Sequence, residues 1–479
     1  MSIFSMRIRP VLSGLALALG MAHSPVFALD LSEAYAKAQK NDPRWSAARN
    51  NYEAEQQSVT IGRGALLPSL AAYGSFSENE FESDLGTAAN TDFESTQYGA
   101  KLTQPLFRAD AWYGYQRSKA IGSQAEATLR SQEQELALRV SQAYFAVLSA
   151  QETLAYAQAE EAAFGRQQDQ AQQRFDVGLI AITDVLEARA ASDGARANRI
   201  AAEAALSSTQ ENLSAIIGEA PGRLAPLKGD AIFVKPVPAD PDAWAKLAKE
   251  RNPDLQAAMQ TYNTSRAASR EARSGHLPTV DLFGSYNDTD YDVTASNPLA
   301  GSSFTTQNGA TTSFGVEANW LLFAGGRTYA ASKQASYREA AAQDQLTATE
   351  RLVVNNARTA YLNVAADAYR VEARKQAVAS NESSLAAVQA GYEVGTRNIV
   401  DVLLTQRVLY AAKRDYADAR YDYVINSLRL KSASGQLSEV DIRELNGWLD
   451  PNASIVGAPE KYLDTPPTPP TPAPSAGKR

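Results

Sequence analysis

Apolar residues recur at spacings that alternate between three and four along two long stretches of the chain. The first seam comprises Ala137, Val140, Tyr144, Val147, Gln151 and Leu154, and the second comprises Val354, Ala357, Tyr361, Val364, Ala368 and Val371. This heptad spacing keeps the seam on one side of an α-helix and predicts long helices that pack lengthwise on their neighbours. The first helix would run without proline from about Asp110 to Arg174, a length of nearly 100 Å.

Each long helix is predicted to end at a short stretch that contains a Val-Gly pair and then Asp-Val-Leu. Residues 174–186 read RFDVGLIAITDVL and residues 391–403 read GYEVGTRNIVDVL, and the Val-Gly pairs stand 217 positions apart (394 − 177). A glycine just past a helix can adopt the left-handed cap conformation, so each stretch is predicted to be the tip of a helical hairpin. The matched flanks predict an internal repeat.

Between the helices of each half, the apolar period changes to two. Tyr98, Ala100 and Leu102 alternate with polar residues, and a similar run includes Phe314, Val316, Ala318, Trp320 and Leu322. The alternation predicts two strands in each half, with one apolar and one polar face. Four strands cannot close a barrel that keeps its edges out of lipid. Taken alone, they indicate either a barrel shared by several chains or two hairpins on a soluble protein.

The N-terminus and the composition favour the shared barrel. Arg7 and Arg9 precede an apolar run, and residues 26–28 form a small-residue cleavage site, so residues 1–28 are predicted to be a secretory signal peptide. Its removal takes the formal charge from −8 to −10 (−8 − 2), which argues against a nucleic-acid partner. The mature chain has no cysteine and a single histidine, His276, which argues against enzyme chemistry, cofactors and a metal site.

The residues that carry these patterns resemble the TolC family of trimeric outer-membrane export channel-tunnels. The resemblance runs from about Leu29 to Leu449 and rests on both tip stretches and on the Leu-Pro pairs at 67–68 and 277–278. It implies a mixed α and β fold, in which a trimeric outer-membrane β-barrel with four strands per chain is continuous with a long periplasmic α-helical barrel and a mixed equatorial belt.

The resemblance also gives the expected division of the chain. The predicted parts are a first structural repeat (29–217, strands about 67–107), an equatorial connector (218–252), a second structural repeat (253–435, strands about 278–323), an equatorial C-terminal segment (436–463) and a disordered Pro-rich tail (464–479). The implied function is passive conduction of secreted proteins, drugs or other toxic compounds across the periplasm and the outer membrane. The implied partners are two further copies of the chain, outer-membrane lipid, a periplasmic adaptor (membrane fusion) protein and an inner-membrane translocase of the ABC, RND or MFS type.

The family's functional positions fall on the two tip stretches. The implied periplasmic gate consists of Thr183, Asp184, Tyr392 and Arg397. The implied adaptor contacts are Val177, Gly178, Leu179, Val394, Gly395 and Thr396. Asp401 would form the entrance constriction, where Leu404 replaces a second aspartate, and Gln167 with Gln389 would form an interchain contact. Asp184 and Asp401 also suit the first turn of a helix, where the dipole favours a carboxylate, and both roles can hold at once.

A function of another class is also compatible with the residues. A soluble periplasmic coiled-coil adaptor or scaffold would have the same signal peptide, long helices and heptad seams, with two accessory hairpins. The two functions differ in where the protein resides: a channel requires detergent for extraction, whereas a scaffold would appear in osmotic-shock fluid.

Overall fold

The computed structural model describes residues 28–81, 91–229, 233–294 and 308–453 of the 479-residue chain. The helices are α1 (Leu31–Asn41), α2 (Pro43–Gly64), α3 (Ala109–Asp176), α4 (Ile182–Ile217), α5 (Pro241–Arg251), α6 (Pro253–Ser274), α7 (Arg327–Glu393), α8 (Ile399–Ala433) and α9 (Glu439–Asn446). The strands are β1 (Ser69–Phe81), β2 (Thr91–Phe107), β3 (Thr279–Thr294) and β4 (Gly309–Asn319). Apart from Ala28, the predicted signal peptide lies outside the described residues, as does the predicted tail.

The order of two helices, two strands and two helices occurs twice in the described chain before α9. The second helix of each half begins with the same kind of N-terminal cap. Asp42 accepts hydrogen bonds from the N–H groups at the start of α2 with Pro43 at the first position, and Asn252 does so at the start of α6 with Pro253. Proline suits this position because the first helical N–H has no partner within the helix.

Helix α5 lies inside the segment 218–252 that the sequence predicts as a connector. Asp240 accepts a hydrogen bond from the N–H of Asp242 (3.0 Å), and Pro241 occupies the first turn of the helix. Residues 221–241 are rich in proline and glycine, so the composition of the segment indicates a connector and not the start of α5. The Asp-Pro pair at 240–241 nevertheless carries the same signal as the pair at 42–43.

The four strands form one antiparallel sheet in the order β1-β2-β3-β4. The strands extend further into polar sequence than the apolar alternation indicates: β3 continues through Asp288 and Asp292. Backbone ladders do not depend on side-chain polarity, so pairing continues where the apolar pattern stops. At the other end, β4 stops at Asn319, so the predicted strand residues Trp320 and Leu322 lie beyond it. Among the described residues, no helix combines the length and the apolar character needed to cross a membrane.

Helices α3 and α4 form one antiparallel hairpin, α7 and α8 form the other, and α3 packs along α8. The first predicted seam is buried at Ala137, Val140, Tyr144, Val147 and Leu154. In the second seam, Val353 is buried and the predicted Val354 is only half-buried. At this end the sequence has two adjacent valines, and the spacing alone cannot distinguish them. The predicted Ala368 is also half-buried, and the adjacent Asp367 is buried.

Among the buried tyrosines of the main core, Tyr144 lies on α3 and Tyr421 lies on the facing helix α8. The hydroxyl of Tyr144 lies 2.9 Å from the carbonyl oxygens of Leu29 and Ala225, so it holds the residues before α1 against the segment between α4 and α5. Tyr421 donates a hydrogen bond to the buried carboxylate of Glu152. Burial raises the pKa of Tyr144 and of Tyr421 well above the usual value near 10, because a phenolate is poorly solvated in the core.

The two raised pKa values predict a loss of stability in alkali. Each tyrosine titrates near pH 10 only after unfolding, so its contribution is fully present below pH 10 and is lost above it, at about 1.4 kcal/mol per pH unit per group. Tyr144→Phe should therefore flatten the decline of unfolding free energy above pH 10, and the exposed Tyr337→Phe should not. The measurement is denaturation monitored by helical circular dichroism across pH 8–11. Equal alkaline slopes for the wild type and Tyr144→Phe would contradict the prediction.

Candidate functional site at the hairpin tips

Each helical hairpin turns through a glycine in the left-handed backbone region. Gly178 has φ of +76° and Gly395 has φ of +80°, a conformation that costs other residues free energy because of their Cβ atom. The turn after α3 is closed by the N–H of Leu179 donating to the carbonyl of Arg174 (2.8 Å), and the turn after α7 by the N–H of Thr396 donating to that of Gly391 (2.8 Å). The two Val-Gly stretches therefore form the tips that the sequence predicts.

The helices that leave the two tips begin differently. In α8, the side chain of Asn398 accepts from the N–H of Asp401 (2.8 Å), and the carboxylate of Asp401 accepts from the N–H of Asn398 (3.5 Å). In α4 the equivalent capping position is Ala181, which makes no side-chain cap. A missing cap costs about 1 kcal/mol, so the start of α4 is held less firmly than the start of α8.

An apolar cluster joins the two tips within one chain. Its buried members are Phe164, Ala171, Val185, Ala188, Ala191, Ala195, Ile399 and Leu403. Phe175, Ile180 and Tyr392 pack against it from its edge. The cluster draws on α3, α4 and α8, so the hairpins are held together at the tips by contacts that do not depend on charge.

Charged groups surround this cluster. The guanidinium of Arg174 lies 4.8 Å from the ring centroid of Tyr392, a distance suited to a cation–π contact. The guanidinium of Arg397 is 3.8 Å from the carboxylate of Asp401. Asp184 lies in the first turn of α4, beside the buried Val185 of the cluster. These contacts bring charges from both hairpins to one end of the molecule.

A polar groove of about 630 Å³ lies beside the cluster. It is lined by Ala163, Arg166, Gln167, Gln170, Gln173, Arg174, Val177, Gln389, Tyr392, Glu393, Val402 and Gln406. The side chain of Gln406 is 7% exposed, and its oxygen has no hydrogen-bond partner among the described residues. A groove with two guanidinium groups and several amides can bind a polar or acidic protein segment through charge-assisted hydrogen bonds.

The structure brings some of the predicted site residues together and leaves others apart. Gln167 and Gln389 line the same groove of a single chain. Across the described part of one chain, no hydrogen bond joins Tyr392 or Arg397 to Thr183 or Asp184. The gate and the interchain contact therefore stay predictions.

The very ends of the tips are apolar and exposed. Val177 is 69% exposed, Leu179 is 73% exposed and Val394 is 76% exposed, and exposed aliphatic residues that cluster at one place on a surface indicate a site of interaction. They flank Gly178 and Gly395, and Thr396 follows. The predicted adaptor contacts therefore form a small apolar surface at the end of each hairpin.

Sequence reasoning missed the polar contacts between α3 and α8. Arg414 pairs with Glu160 at 2.7 Å, and the hydroxyl of Ser149 donates to Asp418 at 2.7 Å. The partners stand 254 and 269 positions apart in the chain. In the sequence, such a contact is indicated by a charged residue next to a seam position. Its partner can be identified only after the two hairpins are packed together.

Comparisons with known proteins agree with one another. The sequence model of the family described as Outer membrane efflux protein matches residues 34–219 and 244–436. The Outer membrane protein TolC of Vibrio cholerae is 35% identical over 432 residues, which cover 90% of this chain and 96% of that protein. The Outer membrane protein TolC of Escherichia coli is 36% identical over 446 residues, covering 92% and 89%. The Alkaline protease secretion protein AprF of Pseudomonas aeruginosa is 30% identical over 427 residues, covering 87% and 86%.

Solved structures give the same fold at lower sequence identity. CusC superposes with a TM-score of 0.73 at 18% identity, covering 85% of this chain and 93% of that chain. The outer membrane protein VceC of Vibrio cholerae superposes with a TM-score of 0.73 at 16% identity, covering 85% and 96%. At these identities the likeness concerns the arrangement of helices and strands alone.

Proposed function

This chain belongs to the outer membrane efflux protein family, and from that premise we propose that it works as a homotrimeric export duct with a gate at its hairpin tips. The family is one of transport channels rather than enzymes. The chain is an outer-membrane channel-tunnel for exported substrates, and the resemblance predicted from its residues is confirmed. The alternative, a soluble periplasmic scaffold, is set aside because the family and these relatives are outer-membrane proteins.

The single observation that carries the proposal is the four-stranded sheet placed end to end with two long hairpins. Strands β1 and β4 are the edges of the sheet in one chain, and unpaired backbone groups at an edge are costly in lipid. Three copies would pair β4 of one chain with β1 of the next and close a barrel of about twelve strands. The two halves of each chain would be structural repeats, each contributing one strand pair and one hairpin to the assembly.

The two open edges of the sheet predict the oligomeric state. The purified protein should be a trimer in nonionic detergent, because closure of the sheet satisfies both edges only when chains share a barrel. Light scattering coupled to size-exclusion chromatography measures the mass of the protein component. A monodisperse monomer that retains full strand content by circular dichroism would contradict the shared barrel.

The gate would lie where the tips of the three chains meet. Within the described part of one chain, Asp184 makes no hydrogen bond with Tyr392 and no ion pair with Arg397, so we place these bonds between hairpins that approach one another across the entrance. A carboxylate on one hairpin and a phenol and a guanidinium on the other form charge-assisted hydrogen bonds. Thr183, exposed beside Asp184, would supply a further hydroxyl. The contact of Gln167 with Gln389 of a neighbouring chain would be a neutral hydrogen bond.

Asp401 would line the entrance without closing it, and this predicts a modest cation block. Asp401→Ala should weaken block by multivalent cations applied from the periplasmic side, with little change in resting conductance. Asp401→Asn is the matched variant, because its side-chain oxygen can still accept from the N–H of Asn398 while the charge is removed. Both variants should behave alike in planar bilayers. If only Asp401→Ala reduced the block, the loss of the cap and not of the charge would be responsible.

The partners follow from the tips and from the relatives. The exposed Val177, Leu179 and Val394 supply an apolar contact for a periplasmic adaptor, and the groove beside them supplies polar contacts. Relatives are named for protease secretion and for efflux, so the chain serves an inner-membrane translocase that exports proteins, small toxic compounds or both. Deleting the gene and assaying secreted proteins and drug sensitivity in the same strain tests this function. A mutant normal in both assays would contradict it.

A further inference from the structure

A second groove lies at the opposite end of the helices, between α3 and α6 and next to the strands. Its volume is about 500 Å³. Among the residues that line it are Trp112, Tyr113, Gln116, Lys119, Arg266 and Arg270. Trp112 is in the first turn of α3, which begins two residues after β2 ends, and Arg270 is near the end of α6, which precedes β3.

The three cations of this groove have no acidic partner among the described residues. Lys119, Arg266 and Arg270 are exposed and make no ion pair there, although nearby cations are paired: Arg117 contacts Glu271 at 3.3 Å. The ammonium of Lys119 lies 5.0 Å from the ring centroid of Tyr115, so its contact is an aromatic face. Three uncompensated positive charges in one groove stand out in a chain whose formal charge is −8.

The groove opens on the outer side of the helical wall. On α3, positions 115, 118 and 122 face α2, and positions 114, 117 and 131 face α6. With about 100° of rotation per residue, the direction from the axis of α3 to α2 and the direction from that axis to α6 enclose about 130° on one side of α3 and about 230° on the other. In a closed ring of helices, the smaller angle between neighbours is on the lumen side. Trp112, Gln116 and Lys119 lie in the wider sector, outside the ring.

The position of the groove along the wall matches the depth of lipid headgroups. The headgroup layer on each side of a bilayer is roughly 5–8 Å thick. Trp112 is about 5 Å and Arg270 about 6 Å along their helices from the ends nearest the strands, and the long side chains of Lys119 and Arg266 begin about 12–15 Å away. Trp112 is 50% exposed, and tryptophan favours the membrane interface. The wall is α2-α3-α6-α7, so neighbouring chains would contact α2 and α7 and leave this groove uncovered.

We propose that this groove binds the headgroup of an anionic phospholipid from the periplasmic leaflet of the outer membrane. The phosphate would accept hydrogen bonds from Arg266, Arg270 and Lys119, and the acyl chains would extend past Trp112 along the outer face of the strands. The occupant is a lipid and not free phosphate, because Arg270 lies at headgroup depth beside the half-exposed Trp112, and the long side chains of Lys119 and Arg266 can extend toward the same depth. This inference rests on the proposed function, which places the strands in the membrane.

The test uses the full-length protein in a nonionic detergent. Phosphatidylglycerol with brominated acyl chains is titrated in, and quenching of tryptophan fluorescence is measured; brominated phosphatidylethanolamine and inorganic phosphate are the parallel arms. The variant is Lys119→Gln with Arg266→Gln and Arg270→Gln. The matched control is Arg49→Gln with Lys246→Gln and Arg407→Gln, three exposed cations that make no ion pair among the described residues and lie away from the strands. Trp112→Phe removes the tryptophan of the groove, so the quenching that this variant loses is the part that comes from the groove.

We expect half-quenching at a lower concentration of phosphatidylglycerol than of phosphatidylethanolamine. The groove variant should raise the phosphatidylglycerol value on the order of tenfold or more, with no change for phosphatidylethanolamine, and the control variant should match the wild type. Equal quenching by both lipids, or an unchanged groove variant, would overturn the lipid site. Displacement by inorganic phosphate would show an anion site without lipid specificity and overturn it too. Absence of quenching by either lipid would instead contradict the placement of the strands in the membrane.

Discussion

Replacing Tyr392 by Phe and Arg397 by Ser in one protein is expected to raise the single-channel conductance in planar bilayers severalfold. The phenylalanine would keep the aromatic ring that packs against the tip cluster and against Arg174, so the first change removes only a hydroxyl. The second change removes a guanidinium whose contact within the chain is Asp401 at 3.8 Å. The packing of each tip is therefore preserved, and the change falls on the proposed bonds to Asp184.

The magnitude follows from the strength of such bonds. A charge-assisted hydrogen bond contributes on the order of 1.5–3 kcal/mol where it is partly shielded, and less where it is fully exposed to water. Loss of both donors would shift the closed–open equilibrium by roughly two to four powers of ten in the shielded case. The control is Tyr337→Phe with Arg338→Ser, the same chemical change about 80 Å away along α7. Unchanged conductance in the tip variant would mean that other contacts hold the entrance closed.

Replacing Arg414 by Met is expected to destabilise the helical region by on the order of 3–5 kcal/mol. Glu160 is 1% exposed and Arg414 is its ion-pair partner, at 2.7 Å. Removal of the guanidinium leaves a buried carboxylate without compensation, and that penalty exceeds the value of the pair itself. The measurement is thermal unfolding of the detergent-solubilised protein, followed by circular dichroism at the helical band.

Two variants separate the buried charge from a general effect of losing an arginine. Arg374→Met breaks an exposed pair with Asp415, in which both side chains are 47% exposed, so it should cost less than about 1 kcal/mol. Glu160→Leu combined with Arg414→Met removes both charges and should recover most of the lost stability. If the double variant were as unstable as Arg414→Met alone, packing and not charge would explain the loss.

The helices and tips could be predicted because their signals are local. A heptad seam, an Asp-Pro or Asn-Pro start and a glycine after the last turn each act within a few residues. Gly178 and Gly395 therefore adopt the predicted conformation, and α3 has nearly the predicted bounds. Helix α5 also begins with the Asp-Pro signal, although the Pro- and Gly-rich sequence before it indicates a connector.

The remaining features depend on residues that are distant in sequence. The strands continue through Asp288 and Asp292 because β2 is beside them, which the alternation of β3 alone does not show. The pair of Glu160 with Arg414, and the stacking of Arg174 on Tyr392, each need two hairpins in place. The predicted gate bonds to Asp184 do not form within the described part of one chain, so neither the sequence pattern nor one folded chain determines them.

The lengths of α3 and α7 determine how far the helical hairpins extend, and their heptad seams restrict how that length can change. Helix α3 has 68 residues and α7 has 67, and at 1.5 Å per residue each measures about 100 Å. An insertion of one residue would rotate every later seam position by about 100° and bury polar side chains, whereas one heptad adds about 10 Å and keeps the seam in phase. The same heptad would have to enter α4 and α8 opposite it, or the tips would lose their shared cluster. Variants adapted to a wider or narrower cell envelope should therefore differ by multiples of seven residues, inserted at matching heights in all four helices.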